Sequence, residues 1–134
     1  MSSRVIEIIT SSFTKLLIPG LVYTIPITLI SFAIGLLIAI VTALIRVKKI
    51  KVLSQIIQFY VWIFRGTPLL VQLFIIYYGL PSVGIVLEAF PAAIITFSLN
   101  VGAYSSETVR GAILSVDKRQ KEDCYSVGMT YLQS

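Results

Sequence analysis

From Leu16 to Ile45 the chain is almost wholly apolar, broken only early by Pro19 and Pro26. A run of that length predicts a membrane-spanning helix over 20–45, with Met1 to Lys15 as a mixed, mildly polar lead. As a straight helix it would rise about 39 Å, more than a typical hydrocarbon core, so it must tilt or protrude. Val52, Leu53, Ile56, Ile57, Tyr60 and Phe64 then recur at helical spacing while Ser54, Gln55 and Gln58 fall on another face, which predicts an amphipathic helix. Gly66-Thr67-Pro68 interrupts it, Leu69 to Tyr78 resumes the apolar pattern, and Gly79, Pro81, Ser82 and Gly84 end it. The second span is placed over 67–86, its early part either crossing the bilayer or lying in the interface. Glu88-Ala89-Phe90 makes a short connection, Pro91 suits a first helical position, and the third span is 91–109.

Charge gives this pattern a direction. Arg46, Lys48, Lys49, Lys51, Arg65, Arg110, Lys118, Arg119 and Lys121 gather on one side of the spans, against Arg4 and Lys15 on the other. The positive-inside rule then puts the N-terminus outside and the C-terminus in the cytoplasm. Composition agrees with an integral membrane chain: 57% hydrophobic and 13% charged residues of 134, with a mean hydropathy of +0.93. The fold expected is therefore all-α and integral to the membrane. It has three transmembrane helices, an amphipathic cytoplasmic helix and a polar cytoplasmic segment over 111–134, in one domain. The net charge of +5 follows topology, so it does not argue for a nucleic-acid partner.

Polar residues inside the third span are costly in hydrocarbon unless they meet a partner or a water-filled cavity. Asn100, Tyr104 and Glu107 are spaced by four and three residues and so share one helix face. Asn100 lies about 14 Å along the helix from Pro91, near the bilayer middle. That face either lines a pathway for a polar solute, or glues helices together with Glu107 paired to Arg110 one turn on. Gln72 is a further candidate for the same cavity, although with Tyr77 and Tyr78 it is read more simply as part of the second span's interfacial structure. Trp62 is read as interfacial, and Gly102 and Ala103 as positions of close helix packing.

Nothing in the chain offers catalysis or metal binding. It has no histidine and one cysteine, Cys124, and lacks a G-x-x-x-x-G-K-[ST] phosphate loop. It is not expected to be an enzyme or to bind a cofactor, so uphill transport would need an ion gradient or a separate nucleotide-hydrolysing subunit.

Three ordered strings carry a resemblance. They are Phe64-Arg65-Gly66-Thr67-Pro68-Leu69-Leu70-Val71-Gln72-Leu73-Phe74, then Asn100-Val101-Gly102-Ala103-Tyr104-Ser105-Ser106-Glu107, then Arg110-Gly111-Ala112-Ile113-Leu114-Ser115-Val116. Together they resemble the permease subunit of polar amino acid ABC importers of the binding-protein-dependent type. The resemblance implies the N-terminal part of a five-span permease in a prokaryotic cell membrane, paired with a second copy or a sister permease. It also implies an extracytoplasmic solute-binding protein, an amino acid substrate, and cytoplasmic ABC ATPase subunits that use the ATP. Asn100, Tyr104, Glu107 and Gln72 would line the substrate pathway under alternating access. Gly111, Ala112, Glu122 and Gly128 would belong to the ATPase coupling loop, with Glu122 and Gly128 at the positions of its glutamate and glycine. Asp117, Arg119, Asp123 and Cys124 stand where the family usually has Pro, Gly, Ala and Ala, and Arg119 would be strained if its backbone needed a positive φ. The chain ends before the family's last two spans, so a truncated permease is expected, or alternatively a non-transporting anchor that only docks the ATPase.

Overall fold

The computed structural model describes residues 2–130 and 133. Met1, at the start of the lead, and Tyr131, Leu132 and Ser134, at the end of the expected coupling loop, lie outside the described residues. The described chain is helical: α1 (Ser2–Pro19), α2 (Ile25–Val47), α3 (Lys51–Gly66), α4 (Leu69–Phe74), α5 (Ala89–Ser115) and α6 (Lys118–Ser126).

The polar lead is not separate from the first span, contrary to the expectation from sequence. A π-helical turn at Gly20–Thr24 joins α1 to α2, and residues 3–47 form one helix of 45 residues, about 68 Å long at the α-helical rise. Two local features permit this. Pro26 has no N–H to give the Val22 carbonyl, which a widened turn accommodates. The lead's hydroxyls also fold back onto their own helix, Thr10 Oγ1 donating to the Ile6 carbonyl at 2.8 Å and Thr14 Oγ1 to that of Thr10 at 3.1 Å. Lys49 ends α2 in the left-handed region at φ 52°, its N–H bonded to the Arg46 carbonyl at 3.2 Å.

Over the expected second span, 67–86, the helical stretch is shorter. Helix begins at Leu69 as α4, widens to a π-helical turn at Ile75–Gly79, tightens to a 3₁₀ turn at Leu80–Val83 and stops at Gly84, whose φ is 87°. Residues 69–83 and α3 meet at a bend of 109° across Gly66-Thr67-Pro68, where sequence placed the interruption. Over the expected third span, 91–109, the helix is longer, since α5 starts at Ala89 and runs through Arg110, Gly111 and Ala112 to Ser115. Ala112, Ile113 and Leu114 give the backbone no reason to leave the helix until extended Val116. Among the described residues, 3–47 is long and apolar enough to cross a bilayer, and the bent pair brings the number to two if it counts as one span. α5 has the length, but Ser98, Asn100, Ser105, Ser106 and Glu107 dilute its apolar character.

The core lies between α2 and α5 and is made of small residues. Ser31, Gly35, Ala39, Thr42 and Ala43 of α2 are buried, as are Ala92, Thr96, Gly102, Ala103 and Ser106 of α5. A Cβ on Gly35 would lie 2.7 Å from Val101, and one on Gly102 would lie 2.7 Å from Ile38. Only glycine permits that backbone approach, the packing expected of helices in lipid. Gly35 beside Val101, Ile38 beside Gly102 and Arg46 beside Glu107 set α2 and α5 parallel. The bent α3–α4 segment therefore has to carry the chain back. Most large apolar side chains face outward, among them Leu29, Leu37, Ile56, Phe59 and Phe74.

Candidate functional site

The site grows from the break after α3. In an uninterrupted helix the Phe64 carbonyl would accept from residue 68, but Pro68 has no N–H. The orphaned acceptors find side chains instead. Thr67 Oγ1 donates to the Ile63 carbonyl at 2.8 Å, and Gln72 Nε2 donates to the Phe64 carbonyl and Thr67 Oγ1, each at 2.8 Å. Tyr104 Oη makes a longer bond, 3.4 Å, to the Arg65 carbonyl. Asn100 Nδ2 then donates to Gln72 Oε1 at 3.0 Å, tying the break to α5. Tyr60 does the same one turn earlier, its hydroxyl donating to the Leu99 carbonyl beside the space left by Gly102.

Two cavities flank this knot. One, of about 210 Å³, is bounded by Thr28, Ser31, Phe32, Leu69, Phe97, Asn100 and Val101. Ser31 is 2% exposed and its hydroxyl has no hydrogen-bond partner among the described residues, and with Thr28 and Asn100 it makes up the polar part of a lining that is otherwise aromatic and aliphatic. The other, an open cleft of about 580 Å³, is lined by Arg46, Gln58, Trp62, Arg65, Tyr104 and Glu107 among others. Here Glu107 joins the end of α2 to α5: one carboxylate oxygen takes Arg46 of α2, and the other takes Arg110 Nη2 at 3.0 Å and Nε at 3.2 Å, one turn on in α5 itself. The Arg65 guanidinium lies over the Tyr104 ring, 5.6 Å from its centroid.

α6 stands apart from these cavities. Asp117 caps its start, Oδ1 accepting the Arg119 N–H at 3.1 Å. Its end is a Schellman turn: the Gly128 N–H reaches the Tyr125 carbonyl and the Met129 N–H reaches that of Cys124, both at 3.0 Å, with Gly128 at φ 82°. Glu122 and Asp123 are exposed and Cys124 is half-buried.

Residues 35–134 match the family described as binding-protein-dependent transport system inner membrane component. The chain belongs to this family. The L-cystine transport system permease protein TcyB of Bacillus subtilis is 50% identical over 125 residues, 93% of this chain and 53% of the relative. The arginine transport system permease protein ArtQ of the same organism is 40% identical over 116 residues, covering 86% and 53%. In three dimensions the chain is similar to an amino acid ABC transporter whose crystal structure was solved with histidines, at 37% identity and a TM-score of 0.78, covering 93% of this chain and 58% of that one. The chain spans about half the length of the curated relatives it matches.

Within this inner membrane component the four residues expected along the pathway sit close together, but on different duties. Asn100 and Gln72 bond to each other, Tyr104 reaches the break, and Glu107 is held by two arginines instead of Arg110 alone. Of the residues expected at the coupling loop, Gly111 and Ala112 belong to the last turns of α5, while Glu122 and Gly128 lie on α6 and in its closing turn. Arg119 has a helical backbone without a positive φ, so the strain that would have followed from one does not arise. Sequence reasoning passed over Ser31, read Tyr60 only as part of the helical pattern and Thr67 only as part of the break, and gave Arg46 and Arg65 no role at the site. A hydroxyl in an apolar run and a threonine ahead of a proline were the available hints.

Proposed function

We propose that the chain forms part of the translocation pathway of an ATP-driven amino acid importer and couples through α6 to a separate ATPase subunit. The observation that carries this is the chamber beside Asn100. Two parallel helices that otherwise bury only small residues leave two unpartnered hydroxyls, Ser31 and Ser98, and Ser31 lines the chamber together with the Asn100 carboxamide, about halfway along α5. A solute with polar and apolar parts suits that lining. Tyr104 and Glu107 lie further toward the basic end, where they form the pathway's cytoplasmic mouth. The relatives' names, which speak of cystine and arginine transport, support an amino acid as solute without choosing one. Glu107 is already neutralised by Arg46 and Arg110, so it does not select a cationic side chain.

Orientation and coupling belong to the same proposal. The N-terminus lies outside, and the basic ends of α2 and α5 with α6 lie in the cytoplasm. There α6 meets the ATPase, which hydrolyses the ATP, while an extracytoplasmic binding protein delivers solute and a second permease copy or sister completes the pore. Solute movement is then alternating access driven by differential binding of the partner to two states.

The test is uptake of labelled amino acid by membranes carrying the chain with its cognate ATPase and binding protein. Uptake should occur, and Asn100→Leu should lower it about tenfold, the size of one lost hydrogen bond, without changing co-purification of the ATPase. Co-purification without any uptake would leave a docking anchor only. Equal loss of uptake and ATPase binding would make Asn100 a folding residue.

A further inference from the structure

Residues 3–19 of α1 are all exposed, and the packing that α1 makes is with the turn Gly20–Thr24 that follows it. Its two sides differ. Val5, Ile6, Ile9, Phe13, Leu16 and Leu17 fall within about 120° of arc, and Arg4, Glu7, Thr10, Ser11, Thr14 and Lys15 lie on the rest of the surface, with Ile8 and Ile18 outside the stripe. α2 is built otherwise: no charged residue stands between Lys15 and Arg46, whereas α1 carries Arg4, Glu7 and Lys15. The hydrocarbon core therefore belongs to α2, which with 23 residues is about 35 Å long and crosses about 30 Å unaided.

In line with α2, α1 does not fit the bilayer. Even tilted by 40° the 45-residue helix rises about 52 Å, beyond the 40–45 Å or so of a bilayer with its headgroups, and the apolar stripe would stand in water. The joint is able to turn. Pro19 and Pro26 have no N–H for the Lys15 and Val22 carbonyls, and the space beside Gly20 is open, so neither a full set of helix bonds nor side-chain packing holds α1 in line. A second copy is the poorer cover for the stripe. The 18 residues of α1 make about two and a half heptads, short of the three to four of a coiled coil, and Val5 and Leu17 make the stripe broader than such a seam. We propose that α1 folds down at residues 20–26 and lies in the headgroup layer of the membrane, with Ile6, Ile9 and Phe13 against the acyl chains. Its single acid against two bases leaves the apolar face as the main attraction, so anionic lipid is not required. Anchored in this way, α1 fixes the depth of α2, whose Ser31 lines the chamber.

The test is a spin–spin distance in the full chain, reconstituted in vesicles of equal phosphatidylglycerol and phosphatidylcholine. Nitroxides are attached after Ile6→Cys and Leu37→Cys in a Cys124→Ser background, and the labelled chain is diluted with unlabelled chain. A straight helix separates the two backbone positions by about 47 Å, and α1 turned at a right angle near residue 22 brings them to about 33 Å. The shorter distance is expected, and the longer one overturns the proposal. A bend alone would not put the stripe in lipid, so single labels at Ile9→Cys and Ser11→Cys report depth. The first should sit about 5–10 Å into the boundary between headgroups and acyl chains, reached by oxygen more than by a water-soluble nickel chelate, and the second should show the reverse. Equal access of the chelate to both overturns the lipid contact. Dipolar broadening of the Ile9→Cys label between undiluted chains would give the stripe to a second copy and overturn it as well. The four labelled positions are exposed, so folding is not at stake. Uptake plays no part in the readout, so the transport reading and the membrane contact of α1 stand or fall separately.

Discussion

Pro68 creates a defect that Gln72 repairs. The proline removes the N–H that the Phe64 carbonyl would have used, and one buried carboxamide supplies donors to that carbonyl and to Thr67 while accepting from Asn100. A glutamine is suited to this because it carries donors and an acceptor on one planar group. Gln72 is 6% exposed, so an unsatisfied carbonyl beside it would be cut off from water. Gln72→Leu should therefore destabilise the chain by about 1–3 kcal/mol, read as a lower thermal unfolding midpoint in detergent. Gln72→Glu makes the stricter comparison because it keeps the shape and the acceptor but, when ionised, loses both donors. It should destabilise at least as much as leucine. A glutamate variant as stable as the parent would mean that the donors to Phe64 and Thr67 contribute nothing, and that the bend is held by packing alone.

At the scale of elements, α6 is defined by its two ends more than by its faces. Asp117 satisfies a first-turn N–H, and Gly128 lets the backbone turn left-handed so that two last-turn carbonyls are bonded. Gly128→Ala should destabilise α6 by about 1 kcal/mol and speed amide hydrogen exchange there by about fivefold, with exchange in α5 unchanged. Arg119→Gly, which places there the residue the resemblance implies, should also speed exchange, since the position is helical and glycine is a poor helix former. The same reasoning explains what the sequence made legible. Gly66-Thr67-Pro68 marked the break and long apolar runs marked the helices, because both act through neighbouring residues. The continuity of α1 with α2 was hidden because Thr10 and Thr14 look polar in a pattern while spending their hydroxyls on their own helix. The division of labour at Asn100 and Tyr104 was hidden for a different reason: their partners, Gln72 and Arg65, lie 28 and 39 positions away, and such pairings leave no periodic trace.

For the whole molecule, parallel packing of α2 and α5 points their C-terminal ends the same way, and Glu107, between Arg46 and Arg110, fastens the end of α2 to α5 about two turns before α5 stops. In the proposed orientation one membrane face thus receives the end of α2, the end of α5 and, through Val116, all of α6. That face carries most of the basic residues, so the proposed orientation makes one statement about every element at once. Cys124 is the chain's single cysteine, and it lies half-buried on α6, away from the core. It serves as a reporter of sidedness that needs no engineered residue. A membrane-impermeant maleimide should label it in inverted vesicles and leave it unlabelled in intact cells, while a permeant maleimide should label it in both. A thiol that stayed silent in inverted vesicles but reacted after denaturation would place a partner over α6, and the comparison would then be repeated with the ATPase removed. Labelling from outside intact cells would reverse α2, α5 and α6 together. It would put the Glu107 cluster on the extracytoplasmic side, where no ATPase could reach α6, and the coupling proposal would fall with the orientation.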